Sequence, residues 1–288
     1  MSVPAPRIRL SEVLTAILAG LACFLVIDQL RLFGSPVLSV LIRLETQYYF
    51  ALIALLLPGV FLIYRSPWAA LDAGFGLGAF LAPLWLLLHA EAIANEGWEF
   101  LAPDHAVLAG SILWLLVLEA VRRVTGWVLF GIALVFSMYP LFADLMPLMI
   151  SGMAIGFRET ASYHAMSIES IVGLPFRAFA NLVVGFLVFG ATLQHTGGGA
   201  FFIRLAFALL GGVRGGAAKV AIVSSGLMGS MSGSVITNVM TTGQLTIPAM
   251  RRQGFSAKSA AAVEACASTG GVLLPPIMGS TAFIMATF

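Results

Sequence analysis

Residues 220–250 read VAIVSSGLMGSMSGSVITNVMTTGQLTIPAM, thirty-one consecutive residues without a charge. As one straight α-helix they would reach about 46 Å, well past the roughly 30 Å of a bilayer's hydrocarbon. Basic residues stand at both ends: Arg204, Arg214 and Lys219 before, Arg251, Arg252 and Lys258 after. Positive charge marks the cytoplasmic side of membrane segments, so both ends belong on one face. A segment that enters and leaves by one face must turn within the membrane. Near its middle, GSMSGSVITN (229–238) holds the residues a turn needs. Glycine permits unusual backbone angles, and Ser and Asn side chains bond the backbone groups that a turn frees. The expectation is a re-entrant helical hairpin over 216–250 with its tip at Ser230–Ser234. A single kinked span with a small-residue packing face fits the same residues.

Outside this stretch the composition is of one kind. Of 288 residues, 60% are hydrophobic and 10% charged, with mean hydropathy +1.00. A soluble domain carries about 25% charged residues, so the chain reads as an all-α integral membrane protein. Strand alternation is absent, and only helices pair every backbone group within one segment. Apolar segments fall at about 13–31, 47–64, 69–90, 105–121, 127–145 and 177–194. Arg7 and Arg9 precede the first, Arg65 follows the second, and Arg122 and Arg123 follow the fourth. These alternate sides imply a cytoplasmic N-terminus. The acidic loop 91–104 then lies outside; Arg31 and Arg43 are exceptions, offset by Asp28 and Glu45. The start, MSVPAPRIRL, lacks a cleavable signal's small-residue site, which implies that the first span stays. Residues 146–176 read as interfacial and 199–211 as a short amphipathic helix.

Enzymatic and nucleic-acid readings find no support. The charge of +2 forms no patch, the four histidines have no metal-ligand spacing, and no Ser/His/acid set is present. Cys23 and Cys266 lie in apolar segments as small hydrophobes. GGGAFF and GGVRGG do not follow strands, so they suit helix caps and turns better than phosphate loops. His195 reads as interfacial. Arg158 and Arg177 fit either interfacial anchoring or an anionic partner.

A second interruption follows the first. In residues 259–288 the pairs Gly270-Gly271 and Pro275-Pro276 should unwind about 268–276, because proline removes a donor and clashes with the preceding turn. Two interrupted apolar segments in succession point to a transporter's binding site. Unwound carbonyls and free hydroxyls are oxygen ligands for a hard cation. Glu264 could line a cavity, but Lys258 beside it points to the inner interface.

The segment 211–288, from GGVRGGAAKV through SGSVITN to ASTGGVLLPP and its end, closely resembles the large membrane subunit of tripartite ATP-independent periplasmic (TRAP) transporters. EAVRRVTGWVLFGIALVFSMYPLFADLMP (119–147) and VGFLVFGATLQHTGGGAFFIRLAFALLGG (184–212) resemble the fused form, in which small and large subunits share one chain. The likeness runs from about 115 to 288 and is only topological before that. It implies a small-subunit-like four-helix domain over 1–124 and the first half of a transport domain over 125–288, with hairpin 216–250 and broken helix 259–288.

The resemblance also implies an elevator-type permease in the bacterial inner membrane that takes up organic acids by sodium symport. A periplasmic binding protein, of the TAXI class for such fused permeases, would deliver the substrate. The family's tip motif falls on Ser232, Gly233 and Ser234, with Asn238 on the descending arm. Its helix break falls on Gly270, Gly271, Pro275 and Pro276. Together these would hold one sodium ion, largely by backbone carbonyls, with Ser268 and Thr269 as hydroxyl contributors; Met231 and Val235 depart from the usual tip context. The family's second inverted repeat does not follow Phe288 here. The expectation is therefore that this polypeptide transports nothing without a second half. A non-transporting scaffold or truncated fragment, and an ion channel, are the other readings.

Overall fold

The computed structural model describes residues 10–30, 42–147, 149–275 and 285. Among them every regular element is helical. They fall into two compact units, Met1–Arg177 and Ala178–Phe288.

The first unit begins with α1 (Leu10–Gln29), α2 (Glu45–Ile63) and α3 (Ala69–Leu88). Each is a continuous, predominantly apolar helix of 19 or 20 residues, about the length that crosses a bilayer. At the start of α2, Gln47 Oε1 accepts the N–H groups of Arg43 at 2.7 Å and Leu44 at 3.1 Å, which fixes the helix entry. Short α4 (Ala90–Glu96) and α5 (Trp98–Leu101) turn around Gly97, whose φ of 66° suits glycine. They lead to α6 (Asp104–Thr125) and α7 (Trp127–Met138). The expected fifth span, 127–145, is not one continuous helix. Pro140 halts α7, and two 3₁₀ turns follow at Tyr139–Leu141 and Ala143–Leu145. Twelve residues reach only about 18 Å, short of the hydrocarbon thickness.

Side chains hold this bundle at both ends and in its middle. Phe61, Ala79, Leu116 and Ala120 form one buried cluster between α2, α3 and α6. Arg123 closes one end of the bundle. Its guanidinium donates to Asp72 Oδ1 at 2.7 Å, Glu119 Oε1 at 2.7 Å and the Tyr64 carbonyl at 2.9 Å, between the rings of Phe61 and Phe75. The chain around Tyr64 and the C-terminal end of α6 therefore share one end of this unit, as the arginine pattern requires. Beside α6 sits α8 (Phe157–Met166), short and outside the spanning helices. Its Ala161 and Ala165 press on Gly110, where an added Cβ would lie 3.2 Å from Ala165 Cβ. His164 stacks on Trp114 with ring centroids 5.0 Å apart. Its Nε2 donates to the Ser137 carbonyl, and its Nδ1 shares a hydrogen bond with the Ser170 hydroxyl, both at 2.7 Å. A carbonyl can only accept, so Nε2 carries a proton. Burial pushes its pKa below the usual histidine value, against a smaller opposing effect of the Ser137 carbonyl.

A further long apolar helical stretch, Leu174–His195, comprises α9 (Leu174–Ala178), a π-helical turn at Phe179–Val183 and α10 (Val184–His195). With α1, α2 and α3 it makes four helices, among the described residues, long and apolar enough to span a membrane. The second unit continues with α11 (Gly198–Leu210), α12 (Gly216–Ser232), α13 (Val235–Arg252) and α14 (Ala257–Gly271). Helix α11 buries Gly199, Ile203 and Ala206, one stripe at helical spacing, as an amphipathic helix must. Helices α12, α13 and α14 pack mutually. Small residues make this possible: Ala217, Ala221 and Ala260 surround Met250 in one buried cluster.

Candidate functional site

The long uncharged run folds back on itself. Helix α12 ends at Ser232 and is capped by Gly233, in the left-handed conformation (φ 59°), and α13 starts two residues after that cap, at Val235. Ser234 caps α13: its hydroxyl accepts the N–H of Thr237 at 3.4 Å. Down the arms, Ser225 Oγ faces Thr242 Oγ1 at 3.3 Å, and Gln253 Oε1 accepts the N–H of Ala217 at 3.0 Å. Contacts that pair early residues with late ones are those of an antiparallel hairpin. A kinked single span would hold Ala217 and Gln253 far apart.

Below the tip, the hairpin meets α14 with almost no intervening space. A Cβ on Gly229 would lie 2.7 Å from Gly271 Cα, and one on Gly271 would lie 2.5 Å from the Ser225 carbonyl oxygen. Asn238 reaches into this crossing. Its Nδ2 donates to the Ser225 carbonyl at 2.8 Å, which leaves Oδ1 as the free acceptor. Asn238 is 1% exposed, and Oδ1 has no hydrogen-bond partner. A buried acceptor left unpaired costs about 1–3 kcal/mol, so the atom is available to a donor or cation.

Of the residues the sequence pointed to, Asn238 and Gly271 come together here, with Ser225 and Gly229 added by the fold. Ser232, Gly233 and Ser234 form the tip, where Ser232 Oγ accepts the N–H of Ser234 at 3.4 Å. Thr269 is exposed and donates to the Ala265 carbonyl at 2.8 Å. Gly270 and Pro275 are also exposed; Pro276 lies outside the described residues. The helix survives through the glycine pair, so the stretch 268–271 is wound where unwinding was expected. Gly271 is held against Gly229 in the last turn, and the chain then leaves through turns at Leu273 and Leu274.

Ser268 points elsewhere. Its hydroxyl lies 2.9 Å from Ser225 Oγ and 3.3 Å from Glu264 Oε1. Glu264 is 0% exposed, which corrects its expected place at the inner interface beside Lys258. The reason is helical phase. Ala260, Glu264, Ser268 and Gly271 share the buried face of α14, and Lys258 is exposed, off that face. Thr242 hydrogen-bonds Glu264 Oε1, Thr246 hydrogen-bonds Oε2, and Ser225 lies 3.2 Å from Oε1. Four hydroxyls from three helices thus converge on one carboxyl group. No Lys, Arg or His pairs with it among the described residues. A sequence signal for this cluster existed: Asn238, Thr242 and Thr246 repeat at helical spacing inside an uncharged run, and Glu264 precedes Ser268 by one turn. No group of three or more His, Cys, Asp or Glu residues occurs among the described residues, so the oxygen chemistry here is that of hydroxyls, amide and a single acid.

Packed apolar helices with a helical hairpin among them make a polytopic helical bundle of the kind that membrane transporters use. The family model of the tripartite ATP-independent periplasmic transporter, DctM component, matches residues 112–288, and the chain belongs to that family. It is 34% identical over 126 residues to the C4-dicarboxylate TRAP transporter large permease protein DctM of Vibrio cholerae, covering 42% of this chain and 28% of that one. The DctM protein of Rhodobacter capsulatus is 27% identical over 158 residues, covering 51% and 36%. The sialic acid TRAP transporter permease protein SiaT of Haemophilus influenzae is 28% identical over 198 residues, covering 63% and 32%. The chain thus matches about a third of the length of these relatives. No solved structure matches it.

Proposed function

We propose that the chain is the permease component, or part of it, of a sodium-coupled secondary transporter for organic acids in the bacterial inner membrane. A periplasmic binding protein of the TAXI class delivers the substrate, residues 1–124 act as the small-subunit-like scaffold, and residues 125–288 begin the transport domain. The relatives' substrates, C4-dicarboxylates and sialic acid, are all organic acids, which supports this class. A further half with the second repeat would complete the substrate site.

The observation that carries the coupling ion is the buried, unpartnered Asn238 Oδ1 at the crossing of hairpin and α14. Amide and backbone carbonyl oxygens suit a hard cation and not a soft one. Asn238 Oδ1, the backbone around Ser232–Ser234 and the end of α14 from Thr269 through Gly271 to Pro275 would hold sodium. When bound, the ion supplies positive charge that ties tip to helix. The protein's own part is to present preset oxygens and to exclude lipid through the close Gly229–Gly271 packing.

The test is thermal unfolding of the purified chain in lipid nanodiscs, in sodium against potassium at equal ionic strength. Sodium should raise the midpoint, and Asn238→Ala should remove most of that increase. A midpoint indifferent to the cation would reject the sodium reading.

A further inference from the structure

We propose that a basic rim at one end of the second unit, made by Arg214, Lys219, Arg251, Arg252 and Lys258 with Arg204 beside it, binds the phosphate headgroups of anionic phospholipids in the leaflet it borders. The proposal needs only the membrane class of the chain, not its substrate or its coupling ion. Residues 178–288 hold these six basic residues and a single acid, Glu264, which is buried. All six basic residues are exposed, and none forms an ion pair among the described residues. The first unit differs: there Arg43, Arg122, Arg123 and Arg158 each have a carboxylate partner. The protein therefore leaves the charge of the rim uncompensated.

Folding gathers these charges. The hydrogen bond from the Ala217 N–H to Gln253 joins the end of α13 to the first turn of α12. Phe255 packs on the cluster of Ala217 and Ala260, which brings the start of α14 to the same end. Arg251 and Arg252 lie in the last turn of α13, Lys219 in the first turn of α12 and Lys258 in the first turn of α14. Arg214 stands in the turn just before α12. The two arginines of α13 suit the negative end of that helix. The two lysines do the reverse: each sits at the positive end of a helix, where free N–H groups and the dipole attract anions. Neither of those first turns contains an acid. Like charges gathered in this way repel one another unless anions lie among them.

The apolar surroundings select a lipid over a soluble anion. Helix α11 buries one stripe, and Phe201, Arg204 and Leu209 are exposed on its other side. Val213, next to Arg214, is exposed as well. A helix that presents apolar side chains and arginine together lies at the boundary between headgroups and acyl chains. A phospholipid offers acyl chains to Phe201 and Leu209 and phosphate to the basic residues; a soluble phosphate offers only the second.

The test extracts the full chain into mild detergent from vesicles of equal parts phosphatidylcholine and phosphatidylglycerol, and counts the retained lipids by mass spectrometry. Phosphatidylglycerol should exceed phosphatidylcholine about fivefold or more, the effect of one basic residue at an anionic lipid surface. A variant with Arg251→Gln, Arg252→Gln and Lys258→Gln should lower that preference at least about threefold. A control with Arg43→Gln, Arg65→Gln and Arg158→Gln removes the same charge from exposed positions of the first unit and should keep the preference. If the first variant aggregates on gel filtration, Arg214→Gln with Lys219→Gln carries the test. Excess inorganic phosphate, against chloride at equal ionic strength, should leave the lipid bound; displacement by phosphate would mean a soluble-anion site and overturn the lipid assignment. Equal retention of the two lipids by the wild type, a preference that survives both rim variants, or an equal loss in the control overturns the rim.

Discussion

Gln253 Oε1 accepts the backbone N–H of Ala217 at 3.0 Å, across 36 residues of sequence. The two ends of the uncharged run are one hydrogen bond apart. Ala217 sits in the first turn of α12, where backbone N–H groups have no partner inside the helix, so Gln253 serves as a long-range cap. The closure dictates a topology. In a variant whose native cysteines Cys23 and Cys266 are replaced by serine, single cysteines at Ala218 and Arg252 should react with a membrane-impermeant maleimide from the same side of sealed vesicles. Reaction from opposite sides would mean that the hairpin crosses the membrane. Gln253→Ala should cost about 1 kcal/mol in unfolding free energy.

The two glycines of the pair Gly270-Gly271 should respond differently to a methyl group. A Cβ at Gly271 would collide with the Ser225 carbonyl at 2.5 Å, and one at Gly270 would meet nothing within 4 Å. Overpacking against backbone costs about 1–3 kcal/mol. Gly271→Ala should therefore lower stability by roughly that amount. Gly270→Ala, in the same helix turn, should be neutral or slightly stabilising because alanine favours helix. Denaturant titration in detergent, followed by far-UV dichroism, separates them.

Arg123 ties α6 to α3 with side-chain exposures of 6% for Arg123 and 8% for Asp72. Arg123→Met keeps the stem against Phe61 and Phe75 but strands the Asp72 charge, which retains only Ser66, through its N–H at 2.8 Å. The expected loss is about 3 kcal/mol. Arg123→Lys should recover only part of it, because an ammonium cannot span three acceptors as the planar guanidinium does. Thermal unfolding of the three proteins under one condition checks the order.

His164 gives the first unit a dependence on pH. Its pKa is depressed in the fold by burial, so the unfolded chain takes up its proton first on acidification. The stabilisation from the neutral ring is complete above the unfolded value of about 6.5 and is lost as the pH falls below it. One proton limits the slope to about 1.4 kcal/mol per pH unit. Between pH 8 and 5 the melting temperature should fall more steeply in the wild type than in His164→Gln. Parallel curves would show that the ring does not report this way.

Particular residues show how far sequence alone reaches. Predominantly apolar segments of bilayer length placed α1, α2 and α3 to within a few residues, because a helix that crosses lipid must present mostly apolar side chains. The glycine and hydroxyls at 232–234, with basic residues at both ends of the run, pointed to the reversal. Pro140 is visible in the sequence, yet its shortening of α7 was not read, since proline is tolerated within α2 at Pro58 and within α3 at Pro83. Whether a proline ends a helix depends on neighbours that re-satisfy the freed backbone groups.

Glu264 marks the boundary between the two kinds of knowledge. Charge and hydropathy determined a helical membrane protein with a doubled-back segment, because solvation acts on each residue where it stands along the chain. The position of Glu264 was undetermined by anything local: Lys258 is six residues away, and Thr242 is twenty-two. Only the packing of three helices, with small residues at their crossings and Glu264 on the inner face of α14, brought the carboxyl group to its four hydroxyls. Through-space encounters of that kind depend on helix phase and close approach, which a linear pattern does not contain.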